Sequence, residues 1–292
     1  MTLRAEMDAA ARRGASRLGD AAPRSAATLH SLAGPRGGFR GRSGSDDLYY
    51  TAFGVGCAQA LGADLPPELP AYLDSFGDGE GLDLVHLACL ARCRAVAAPA
   101  DEPTRLAMVE RLAAIRTPDG GFAMQRGAVR GSGAAAFFAV GAYEDLGAEL
   151  PQPRRLLDAL AELRTADGAF ADEPAGHAGS TPVTAGVAVL LRHFGRPVGQ
   201  EVERWLLARL DAAGGFRAGP RAPLPDMVST ATALYALSGR AERIAPIRQA
   251  CLRFLDELWD EQAGGFRGHV LDADIDCEHT WYALTALGHL GE

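Results

Sequence analysis

Near the end of the chain the residues Asp276-Cys277-Glu278-His279-Thr280 place two carboxyls and an imidazole within about one helical turn. Burial favours the protonated carboxyl, while a helix N-terminus and hydrogen bonds steady the carboxylate left after the proton departs. Glu278 could therefore act as an acid, with Asp276 and His279 tuning it. Just upstream, Asp272 and Asp274 read either as solvated loop or as carboxylates able to bridge a divalent ion to a diphosphate. Aromatic residues gather in a different register: Tyr49, Tyr50, Phe53, Phe137, Phe138, Tyr235, Trp281 and Tyr282 sit in small-residue apolar segments. Their rings would either pack a core or offer π faces to a cation.

The composition limits what can position these groups. The chain has 292 residues, 29 Lys and Arg against 37 Asp and Glu, and a net charge of −8, which argues against a nucleic-acid or anionic-membrane partner. Five cysteines are too few and odd in number for a disulfide framework, and no apolar run reaches membrane-spanning length, so an integral membrane protein is not expected. The N-terminus alternates charge with alanine and lacks the apolar run of a secretory signal; residues 1–21 are predicted to form a surface helix and the protein to be cytoplasmic. Hydrophobic residues make up 48% and aromatic residues only 7%, so the apolar mass is Ala, Leu and Val, which favours helices. With 35 glycines and 17 prolines these helices must be short.

A Gly-rich element ending in phenylalanine recurs at Phe39, Phe122, Phe170, Phe216 and Phe266, spaced by 83, 48, 46 and 50 residues. The first gap is nearly two periods, and Phe76-Gly77-Asp78-Gly79 inside it supplies a degenerate copy, giving six repeats. Each repeat runs from a charged amphipathic segment through the loop to an apolar one. The first segments lie near 22–33, 67–76, 103–115, 152–164, 199–211 and 245–258, and the second near 47–61, 83–97, 132–146, 180–194, 226–238 and 276–290. The second segments begin at Asp47, Asp83, Ser132, Ser180, Asp226 and Asp276, all strong N-cap types, so capping is the plain reading of the aspartates. The predicted fold is all-α, an α6/α6 toroid over residues 22–292 whose inner-helix N-termini converge on one mouth. Only the sixth repeat puts both an acid and a histidine there.

This pattern resembles the prenyltransferase and squalene/terpene cyclase repeat superfamily, whose barrels carry Gly-Gly-Trp or Gly-Gly-Phe loops before each inner helix. The resemblance implies two functions for the sixth repeat. Asp276, Glu278 and His279 fall on the cyclase box Asp-X-Asp-Asp-Thr, in which the central acid protonates an alkene and aromatic residues stabilise the carbocation. Asp276, His279, Thr280 and Tyr282 also match the prenyltransferase segment that supplies a zinc-binding histidine. That family takes its other ligands from Asp-X-Cys in the fifth repeat, where this chain reads Asp226-Met227-Val228; valine cannot bind metal, leaving Asp226 and His279, with Glu278, as a harder set. For a diphosphate, the resemblance points to Arg217 and Arg221 in GGFRAGPRAPLPD and to His177, while Arg40, Arg42, Arg126, Arg130 and Arg267 occupy comparable loops.

The function expected from the resemblance is that of an isoprenoid-processing enzyme of the class II, protonation-initiated terpene cyclase type. Glu278 is the candidate acid, and Tyr49, Tyr50, Phe137, Phe138, Trp281 and Tyr282 are substrate contacts; no cofactor is required, with Zn or Mg as the alternative. The second reading is a prenyltransferase β-subunit-like protein with a degenerate metal site and a helical protein partner. The third is a non-catalytic isoprenoid-binding module.

Overall fold

The computed structural model describes residues 1–173 and 178–291. Helix α1 spans Leu3–Arg17. Helical pairs follow: α2 (Ala22–Ser31) with α3 (Leu48–Leu61), α4 (Leu69–Asp74) with α5 (Leu84–Val96), α6 (Glu102–Ala113) with α7 (Gly133–Asp145), α8 (Pro153–Ala161) with α9 (Thr181–His193), and α10 (Gln200–Leu207) with α11 (Met227–Leu237). After the one-turn α12 (Ala241–Ile244), α13 (Arg248–Leu258) pairs with α14 (Cys277–Leu290). The second members form a closed ring in which α3, α5, α7, α9, α11 and α14 each pack on the next and α14 returns to α3. The architecture is the expected all-α toroid.

All six predicted cap residues are observed as caps, each accepting hydrogen bonds from N–H groups in the first turn of its helix. The recurring phenylalanines are buried, and four of them donate a backbone N–H to a threonine of the following inner helix: Phe39 to Thr51 (2.9 Å), Phe170 to Thr184 (3.1 Å), Phe216 to Thr230 (2.9 Å) and Phe266 to Thr280 (3.3 Å). The glycine opening the loop is held at positive φ, +104° at Gly214, where a Cβ would lie 2.0 Å from the Ala250 carbonyl of the next outer helix. Gly264 meets Arg24 of α2 in the same way, so the loop also joins the last repeat to the first.

The first helix is not the surface helix its charge pattern suggests. Leu3, Ala10, Ala11 and Ala15 of α1 are buried. Its charged residues find partners on the last turns of inner helices: Arg4 pairs with Asp145, Glu6 accepts from Tyr235 Oη (3.0 Å) and Asp8 faces Arg92 (3.5 Å). Small residues allow backbone approach, since a Cβ on Gly14 would sit 1.8 Å from the Leu284 carbonyl and one on Gly288 1.9 Å from that of Ala10. Alternating charge and alanine here mark a helix closing the C-terminal end of the ring, with Arg4, Glu6 and Asp8 matched from below.

Candidate active site

At the opposite end, the start of α14 meets the start of α3. Asp276, 4% exposed, accepts the His279 backbone N–H (2.8 Å) as cap and lies 2.9 Å from His279 Nδ1. Arg42, from the loop after the first phenylalanine, donates to Asp276 Oδ2 (3.1 Å) and to Asp272 Oδ2 (2.6 Å). These contacts hold the Asp276 carboxyl below its usual range despite burial, and the pair with Asp276 raises His279 although burial opposes it. Glu278 behaves oppositely. Burial raises its pKa, a shift that the Tyr49 hydroxyl, donating to Oε1 at 2.6 Å, reduces without reversing. Two carboxyls two residues apart are thus driven in opposite directions, one held ionised and the other favouring its proton.

Behind Tyr49 lies the lumen of the ring, a void of about 920 Å³ counted with the solvent it opens to. Tyr49, Phe53, Phe137, Phe138, Tyr235, Trp281 and Tyr282 line it, as expected of inner-helix aromatics, and α1 contributes Leu3, Arg4 and Met7. Phe53 makes an edge contact with Tyr49 at 5.0 Å and lies 5.5 Å from both Trp281 and Tyr282, so these rings form one continuous wall. Glu278 is not itself on that wall: it stands one side chain behind, screened by Tyr49. Arg92, absent from the sequence-level candidates, places its guanidinium 4.6 Å over Trp281 and occupies one face of that ring.

Several sequence-level assignments are displaced. Tyr50 does not line the lumen; it packs edge-on to Tyr49 at 5.6 Å, beside Gly41 of the Arg42 loop. Arg217 is drawn to Asp211, 2.5 Å from Nε, and exposed Arg221 is also off the lumen wall, so no anion site converges on them. Arg42 is neutralised by Asp272 and Asp276, which also removes Asp272 from solvent. His177 lies outside the described residues. Both Asp226 carboxyl oxygens are taken by Ser229, at 2.8 Å from its N–H and 2.7 Å from its hydroxyl, and the ligand-type cluster among the described residues is Asp276, Glu278 and His279, with atoms within 4.8 Å, without Asp226. That cluster does not fit the zinc site the resemblance implies. Its charge is already met by Arg42 and its glutamate by Tyr49, and the nearest thiol, Cys277, is turned into the core beside Cys57, with burial pushing it far above the thiolate range.

The architecture is therefore that of an α/α toroid with a tunable acid pair at the mouth of an aromatic lumen. Residues 185–292 match the family model of the prenyltransferase alpha-alpha toroid domain, and over 95% of its length the chain shares the fold of a type II terpene cyclase. A variant of the type II terpene cyclase MstE from Scytonema, solved with geranylgeranyl dihydroxybenzoate, superposes with a TM-score of 0.64 at 18% identity, covering 95% of this chain and 97% of that one. A protein from Actinoplanes gives 0.59 at 17% identity over 93% and 98% of the two chains. Protein geranylgeranyltransferase-I from Candida albicans, solved with GGPP, gives 0.52 at 15% identity over 70% of this chain and 64% of that one. No curated protein sequence matches the chain. Among the described residues no helix is long and apolar enough to cross a membrane.

Proposed function

We propose that the protein is an isoprenoid-processing enzyme of the protonation-initiated terpene cyclase type, with Glu278 as the acid. The observation that carries this reading is the opposite tuning of Glu278 and Asp276 beside an aromatic lumen. For transfer the Tyr49 hydroxyl turns from the Glu278 Oε1 to which it donates toward the lumen, accepting the Glu278 proton on its oxygen while giving its own proton to the terminal alkene carbon. The electron pair of the alkene forms the new C–H bond, and the positive charge left on the neighbouring carbon is met by the π faces of Phe53, Phe137, Phe138 and Tyr282. Asp276, held ionised by Arg42 and His279, adds to the burial that keeps the proton on Glu278 at rest. The fold shared with MstE and protein geranylgeranyltransferase-I, both solved with geranylgeranyl compounds, supports the choice of substrate class.

Incubation of the purified chain with geranylgeranyl dihydroxybenzoate, geranylgeraniol and squalene tests the reading. Cyclised product from the wild type and its loss in both Glu278→Gln and Tyr49→Phe are expected. Cyclisation that survives Glu278→Gln would end the acid assignment, and binding with no turnover in the wild type would make the lumen a carrier site.

A further inference from the structure

On the last turn of α14, at the end of the lumen closed by α1, His289 is 3% exposed and lines the cavity. Neither ring nitrogen has a hydrogen-bond partner among the described residues. The ring stacks on Tyr235, with centroids 5.2 Å apart and planes 13° from parallel. Burial, with Arg13 and Arg192 nearby, pushes its pKa down to about 3, so the imidazole is neutral, with one N–H donor and one acceptor nitrogen. Several neighbouring polar groups of the lumen are already engaged, whereas Trp281 Nε1, like His289, has no hydrogen-bond partner among the described residues. Thr285 donates to the Tyr282 carbonyl, Thr232 to that of Val228, Tyr235 to Glu6, Arg4 to Asp145, and Arg92 faces Asp8. A buried polar group without a partner is rare in folded proteins and calls for an explanation.

We propose that His289 is the polar anchor of the lumen, hydrogen-bonding the oxygen-bearing end of an amphipathic isoprenoid whose hydrocarbon end reaches the Tyr49–Glu278 pair; this rests on the isoprenoid reading of the cavity. A neutral imidazole offering one donor and one acceptor matches a hydroxyl, which needs one of each. Its place also sets a length. Glu278 and His289 are eleven residues apart on one helix, roughly 16 Å at 1.5 Å per residue. An extended carbon chain advances roughly 1.25 Å per bond, given C–C bonds of ~1.5 Å, so a prenyl alcohol of about fifteen to twenty carbons spans the two ends.

The test is binding of geranylgeraniol, and of the hydrocarbon with CH3 in place of its CH2OH, to the full chain by titration calorimetry. The wild type should bind the alcohol about tenfold or more tightly than the hydrocarbon, the size expected of a buried hydrogen bond. His289→Phe, which keeps the stack on Tyr235, should erase that preference and leave hydrocarbon binding within about threefold, and His289→Gln should restore part of it. Glu278→Gln should keep it, since the anchor is independent of the acid. Nitrogen NMR of the wild type gives a second readout that needs no variant: the alcohol, and not the hydrocarbon, should shift a His289 ring nitrogen. Equal affinity for the two ligands, an unchanged preference in His289→Phe, or an unshifted His289 nitrogen would overturn the anchor while leaving the lumen reading intact. Failure of both ligands to bind would overturn the two together.

Discussion

Glu278→Gln and Asp276→Asn are near-isosteric changes two residues apart, yet the structure expects them to fail in different ways. Asparagine still caps a helix, so the loss in Asp276→Asn is the charge that His279 and Arg42 share. Hydrogen bonds to charged groups contribute about 1.5–3 kcal/mol each when buried. The His279 side chain is 13% exposed and earns no discount, whereas Arg42, at 41%, falls toward the ~1 kcal/mol of a surface pair. The sum is about 2.5–4 kcal/mol. With an unfolding entropy of about 2.1 cal/mol/K per residue, a chain of 292 residues has a slope of about 0.6 kcal/mol/K, so Tm should fall by about 4–7 °C. Glu278→Gln keeps the oxygen that accepts from Tyr49 and removes a carboxyl whose ionised form burial already disfavours. Its Tm should move by no more than about 2 °C, while cyclisation falls by a factor of about a hundred or more, the range for loss of a general acid. Calorimetry and product analysis on both variants decide the matter. A larger Tm loss in Glu278→Gln than in Asp276→Asn, or turnover near wild type in Glu278→Gln, would refute the division into acid and charge holder.

The coupled pair Asp276 and His279 should also give a pH signature. His279 is raised above the usual 6.5, so its stabilisation is complete below that pH and is lost as pH rises through its folded value; Asp276 is lowered below the usual 3.8, so its share is present above that pH and is lost as pH falls through its own. Tm measured against pH should show a plateau between these limits that Asp276→Asn flattens, and an identical profile in the variant would contradict the pairing. Thr230→Val should cost about 1–3 kcal/mol in denaturant unfolding, because the buried Phe216 N–H loses its acceptor; a neutral result would mean that the loop finds another partner. Gly14→Leu should displace α1, since even a Cβ there would meet the Leu284 carbonyl. The expected cost is about 1–3 kcal/mol or more, with increased uptake of an apolar dye by the opened lumen, and unchanged stability would show that α1 is not tightly seated.

Much of the fold is local in origin and so could be read in the sequence. A Gly that must take positive φ, a Phe that must be buried and a Ser or Asp that must cap a helix are each dictated within a few residues, and their recurrence marks the repeat. The aromatic lining follows as well, because inner helices have only the lumen and their neighbours to face. Three features are decided by residues far apart in sequence. Arg42 looks like a free cation until ring closure brings it 234 positions across to Asp276. Asp226 and Asp276 cap alike, and Ser229, three residues on, takes both oxygens of the first; what sets Asp276 apart is burial beside the sequence-distant Arg42, which makes it a fixed charge. The first helix reads as surface because its charges are visible in sequence and their partners, Asp145, Tyr235 and Arg92, are not. Local backbone preference fixes which segments are helices and where they start; long-range electrostatic pairing, which depends on distance in space rather than along the chain, fixes which charges remain available for chemistry.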